Sequence, residues 1–234
     1  MLAIMKRELS SYFFLITGYV LLAGFYILSG ILFFITSLVS KTTNLNHTFN
    51  GLFFIVVLSI PILTMRLFSE EMKQKTDQAL LTAPVSLISI VLGKYIAATI
   101  MFFLCIFVTL IYALVVSFYG FTDWPVVFGN FIGLFLLGLS FISIGMFISS
   151  LTENQIVSAF SMFGIGFFIM ILDNVSQAIS MEMLAKFLNY ISFIQRYKNF
   201  TVGILKLTDV VFFLSVSALF IFLTVRVLEK RRWS

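Results

Sequence analysis

The side chains that usually do covalent chemistry are nearly missing from this sequence. It has one histidine, His47, and one cysteine, Cys105, far apart and in different surroundings, so they do not make a metal site. Cys105 lies inside an apolar run, where a lone thiol is a small packing group. Gly93-Lys94 is followed by Tyr95 and lacks the upstream glycine of a phosphate-binding loop. There is no Gly-x-Ser-x-Gly and no His-Glu-x-x-His, and no paired carboxylates fall in a plausible pocket. What remains is a dense run of charge: Arg66, Glu70, Glu71, Lys73, Lys75 and Asp77. Such a run does no covalent chemistry. It holds its segment in water and can dock on another polar surface.

The element that positions these charges reads as a helix. Met72, Ala79, Leu80 and Ala83 share one face of a 3.6-residue period. Ser69 can cap its start, with Glu70 and Glu71 in the first turn, where the helix dipole favours anions. Glu71 and Lys75 are four apart and can pair. Pro84 excludes Ala83 from the helical region and ends the element. The expected result is an amphipathic surface helix over residues 69–83; an ordinary solvated loop helix has the same pattern.

Everything around that helix is hydrocarbon. The 234 residues are 61% hydrophobic and 11% charged, which excludes an ordinary soluble domain and places the chain among polytopic membrane proteins. A charge at the bilayer centre costs roughly 2.5–3.5 kcal/mol on insertion scales, so residues 66–77 must leave the membrane. The net charge of +5 fits basic loops held on the cytoplasmic side and does not indicate nucleic-acid binding.

Six spans are expected, at residues 12–38, 49–65, 95–119, 126–149, 156–172 and 210–225, forming a single membrane domain over residues 1–234. Before them, Leu2, Ile4, Met5 and Leu9 alternate with Lys6, Arg7 and Glu8, as in an interfacial helix. A signal peptide is disfavoured, because the apolar run continues far beyond a short core without a small-residue cleavage site. Pro61 should kink the second span, and Trp124 should sit at headgroup level. Gly129, Gly133, Gly138 and Gly145, with Ser140 and Ser143, give the fourth span a small-residue face for close packing. Residues 174–209 are too polar to span and too apolar for a free loop, so one or two short helices are expected there, buried against other spans.

With six spans both termini share one side. That side holds Lys6, Arg7, Arg66, Lys73, Lys75, Lys94, Arg226, Lys230, Arg231 and Arg232; the other holds Lys41, Lys186, Arg196, Lys198 and Lys206. The richer side is cytoplasmic, and the charged helix faces it. No span carries charge near its midpoint, where ion-coupled carriers usually place ionisable groups.

Arg66, Glu70, Glu71, Thr76, Leu80-Leu81-Thr82, Pro84-Val85-Ser86 and Gly93-Lys94 together resemble the type 2 ABC exporter permeases, the ABC-2 superfamily. The gliding-motility and nitrous-oxide-reductase-maturation branch is the nearest in pattern. Asn199-Phe200, Gly203-Ile204-Leu205, Asp209 and the ending Val227-Leu228-Glu229-Lys230-Arg231-Arg232-Trp233 resemble it too. The chain departs from the pattern at Lys75, where glycine is usual before the threonine, and at Gln78, where glutamate is common.

The resemblance implies an all-α permease with an N-terminal elbow helix (residues 1–11), a cytoplasmic coupling helix (69–83) and re-entrant outer helices (174–208). Glu70, Glu71, Lys73, Lys75, Thr76, Leu80 and Pro84 would form the ATPase-coupling segment. ATP and Mg2+ would be bound by a separate ABC ATPase, not by this chain, and a second permease, identical or related, would complete the transporter. A prokaryotic inner membrane is the implied location, and an amphipathic or bulky molecule the implied cargo. A self-standing channel or carrier, or a scaffold that recruits an ATPase without transport, are the rival expectations.

Overall fold

The computed structural model describes residues 1–14, 16–76, 85–178, 190 and 192–233, with side chains for all of these except 173–178 and 233. Helix is the only regular structure among the described residues. In chain order the helices are α1 (Leu2–Phe14), α2 (Ile16–Phe33), which widens into a π-helical tail (Phe34–Val39), and α3 (Asn46–Thr64). The short α4 (Ser69–Lys73) follows, then α5 (Leu87–Ser117), α6 (Trp124–Ser149), α7 (Gln155–Ala178), α8 (Phe193–Thr201) and α9 (Leu207–Trp233). Six stretches are long and apolar enough to cross a membrane: Ile16–Val39, Asn46–Lys73, Leu87–Ser117, Trp124–Ser149, Gln155–Leu172 and Leu207–Arg232. The expected all-α, six-span architecture is therefore present. A spanning helix satisfies its own backbone, which hydrocarbon cannot do.

The helix α6 is the centre of the bundle. It packs against α3, α5, α7, α8 and α9, and its small residues permit that closeness. A Cβ at Gly138 would stand 2.0 Å from the Phe102 ring, one at Gly145 2.2 Å from Thr64 Oγ1, and one at Gly133 2.5 Å from Phe200. Helices held by packing in lipid need such near approach.

Several boundaries differ from the sequence expectation. Tyr12, Phe13 and Phe14 belong to α1, not to the first span. The start of α2 lies close against the end of α1, where a Cβ at Gly18 would lie 2.1 Å from the Tyr12 carbonyl oxygen. The third span does not open after Lys94. The helix α5 starts at Leu87, where the Ser86 side chain accepts from Ser89 N, and this carries Lys94 two turns inside it. The helix α3 runs through Pro61 to Thr64. The last helix extends at both ends past residues 210–225, because its basic tail can stay helical outside hydrocarbon.

One of the short helices expected before the last span is α8. Ser192 caps it by accepting from Gln195 N, and Gly203 closes it at φ 79°, with Ile204 N donating to Asn199 O and Gly203 N to Phe200 O. That double bond pattern is a Schellman ending, which favours glycine. Tyr197 anchors α8 in the core by donating to Phe49 O at 3.0 Å. Residues 179–189 and 191, which were also expected to join this region, lie outside the described residues.

Candidate functional site

The charged segment forms only one short helix among the described residues, and it is fastened at its start by a neighbour. Ser69 is not its cap. Ser149, the last residue of α6, accepts from Phe68 N at 3.0 Å and Ser69 N at 3.1 Å, while Ser69 Oγ donates to the Ser149 carbonyl at 3.0 Å. Orphan amides at a helix start need such acceptors. Here another span supplies them, so α4 is tied to the end of the central helix.

The helix stops at Lys73 and does not continue unbroken toward residue 83. Lys75 takes φ 56°, Lys75 N donates to Met72 O, and Thr76 N donates to Glu71 O. This is a second Schellman ending, with lysine in the left-handed position that glycine occupies most easily. Lys75 and Glu71 therefore do not form the expected helical pair. A glycine before the threonine, the residue expected from the resemblance, would fill this left-handed site without strain; lysine fills it at a steric cost. Asp77, Leu80 and Pro84 lie outside the described residues.

Glu71 turns inward to a buried ion cluster. Lys94, with a side chain 1% exposed, places Nζ 3.0 Å from Glu8 Oε1, 3.0 Å from Glu71 Oε1 and 2.7 Å from the Leu67 carbonyl. Arg7 Nη2 reaches the same two carboxylates at 2.9 and 2.7 Å. The Phe68 ring lies under the Lys94 ammonium, 5.1 Å away. Two cations and two anions thus close on one another, joining α1, α4 and α5. Burial pushes the Glu8 carboxyl up, but Lys94 and Arg7 outweigh it and hold it below the usual carboxylate range. The hydrogen bond to Glu8 raises the Arg7 guanidinium.

A second pair flanks the cluster. Arg66 grips Glu70 at 2.6 Å and donates to Thr17 Oγ1 at 2.6 Å, bringing in α2. Arg231 of α9 contacts the Met72 thioether. The helices α1, α2, α5, α6 and α9 therefore each send a polar side chain to α4 or to the turn before it. Of the expected coupling residues, Glu70 and Glu71 are engaged within the chain, whereas Lys73, Lys75 and Thr76 are exposed.

Arg7, Glu8, Thr17, Lys94, Ser149 and Arg231 were not among the expected coupling residues. The available signal was Glu8 and Lys94, two opposite charges each set against an apolar run. At the other end of the bundle a local cluster joins α8 to α9: Arg196 Nη1 lies 2.9 Å from Asp209 Oδ1, and Asn199 Nδ2 donates to Oδ2 at 2.7 Å. Among the described residues, no group of histidine, cysteine, aspartate and glutamate could hold a metal ion.

No curated protein matches the chain. Residues 29–231 match a family described as ABC-2 family transporter protein. That stretch takes in the second to sixth spans and the latter part of the first, and it includes α4, Lys94 and the basic end of α9. The chain therefore belongs to the ABC-2 transporter family, as a multi-pass membrane permease of an ABC transporter.

Proposed function

We propose that this permease serves an ATP-driven exporter and is worked by a separate ABC ATPase that docks on the α4 segment. The observation that supports this is the contrast within α4. Its inner face is bound to the bundle through Ser149, Lys94 and Arg231, and the turn that follows it, Lys73–Thr76, is exposed. A push on that turn reaches α1, α5, α6 and α9 as one body, and rigid-body movement of helices is how such pushes open and close a path. Lys73, Lys75 and Thr76 are the ATPase contacts in this reading, with Leu80 and Pro84 continuing the surface. Glu70 and Glu71 position it from within.

The partner chain would supply ATP and Mg2+ binding, and a second permease, identical or related, would complete the pathway. The side carrying α4 and both termini would be the cytoplasmic face of a prokaryotic inner membrane. An amphipathic or bulky cargo suits spans that, among the described residues, hold no charged side chain at mid-depth.

The test is charge reversal at the exposed turn. Lys73→Glu with Lys75→Glu should lower recovery of the ATPase with the tagged permease at least tenfold, with membrane insertion unchanged. Normal recovery would remove the turn as the contact. Cargo movement in vesicles that persists with an inactive ATPase would favour a self-standing carrier, and an ATPase bound without any cargo movement would favour a scaffold.

A further inference from the structure

At the end of the bundle away from α4, the loop between α2 and α3 meets the loop between α5 and α6. They are locked at one point, since a Cβ on Gly120 would stand 2.8 Å from Thr43 Cγ2. Between them lies a cavity of about 120 Å³ with Asn130, Thr122, Asp123 and Asn44 in its lining. A single water needs roughly 10–15 Å³ on the same measure, so the cavity has room for a small polar group.

Its buried polar atoms are unmatched in a directed way. Asn130 is 0% exposed, and its amide nitrogen donates to the Val126 carbonyl at 2.8 Å and the Thr201 carbonyl at 3.4 Å. Both partners are acceptors, so the side-chain orientation is fixed and Oδ1 is the atom left over. That oxygen has no hydrogen-bond partner among the described residues, and neither has Thr122 Oγ1, whose residue is 8% exposed. Asp123 also lines the cavity and is exposed. It occupies the N-cap position of α6, yet its side chain makes no capping hydrogen bond. Asn44 Oδ1 is already taken by Asn46 N.

The lining therefore holds one carboxylate, an orphan amide oxygen and an orphan hydroxyl, beside the side chains of Thr43, Asn44 and Asn46. A calcium site draws its affinity from several charged ligands, and this lining has a single carboxylate. A primary ammonium brings three N–H donors and one positive charge, which matches the set. A trimethylammonium group carries no N–H and leaves Asn130 Oδ1 unsatisfied. A second, more apolar cavity of about 400 Å³ adjoins the first through Thr43 and is lined by Lys41, Leu38, Val116 and Tyr119. A phosphate beside the ammonium would find Lys41 there, and an acyl chain would find the apolar wall.

From this arrangement we infer that the cavity binds a primary ammonium group, and that the adjoining cavity suits the rest of an ethanolamine phospholipid headgroup. The site is independent of how the permease is driven.

The test is native mass spectrometry of the full-length purified chain with three probes: a short-chain phosphatidylethanolamine, the matching phosphatidylcholine, and free ethanolamine. Phosphatidylethanolamine should be retained at least tenfold better than phosphatidylcholine. Asp123→Asn should reduce that retention about tenfold, and Thr122→Val severalfold. Asp123 is exposed and does no capping, so its variant keeps the fold. Retention of free ethanolamine with equal loss in Asp123→Asn would keep the ammonium site and assign it to a soluble amine. Equal retention of the two lipids, retention unaffected by Asp123→Asn, or displacement of the amine by Ca2+ at micromolar concentration would each overturn the assignment.

Discussion

Two buried polar sites, one at each end of the bundle, are treated in opposite ways. On the α4 side, Lys94 lies nearly sealed from solvent and finds two carboxylates and a carbonyl. On the far side, Asn130 Oδ1 and Thr122 Oγ1 are equally hidden and find no partner among the described residues. A satisfied network fixes geometry, because any movement leaves a charge stranded. An unsatisfied pocket costs stability in isolation and gains from an incoming donor. The first site resists relative movement of the helices it joins, and the second gains from a donor that reaches it.

Substitutions sharpen this contrast. The largest effect should come from Lys94→Met. It leaves Glu8 and Glu71 sharing Arg7 alone, and breaking a buried ion pair from one side costs about 3–5 kcal/mol. Thermal unfolding in detergent measures it, and a loss under ~1 kcal/mol would mean the cluster ties nothing together. Adding Glu8→Gln should recover part of the loss. Acid acts on the same group. Glu8 has its folded value depressed, so its contribution is complete above the ordinary carboxylate range and disappears as pH falls below it. Lys94→Met should flatten that acid-side decline.

Smaller effects follow. Ser149→Ala removes the acceptor from the start of α4 and should cost about 0.5–2 kcal/mol, the usual worth of a cap. Lys75→Gly should stabilise by about 1 kcal/mol, since lysine pays a steric cost at φ 56° that glycine does not. At the far end, Thr122→Val removes a hydroxyl with no partner. It should change the stability of the ligand-free chain by under ~0.5 kcal/mol or raise it slightly. A loss above ~1 kcal/mol there would erase the distinction between the two ends.

The spans were legible because hydropathy over some twenty residues is a local signal. Their ends were less so: residues 12–14 and 87–94 are apolar enough to fit either side of a boundary, and only Gly18 against Tyr12 and Ser86 at the start of α5 decide it. The candidate site was half legible. Its charge density pointed to residues 66–77, but the partners of Glu71 come from 64 and 23 positions away, and no local pattern pairs them. The left-handed turn at Lys75 had one trace, the glycine that the family pattern places there. The cavity had none, since it forms only when two loops meet.

Cys105, 1% exposed within α5, has a practical consequence. Thiol reagents attack an accessible thiolate, so the native chain should be silent to water-borne maleimides while folded. Single cysteines placed at the exposed positions 73 and 206 would then report, in intact cells and without removing the native thiol, which face of the bilayer each end of the bundle meets.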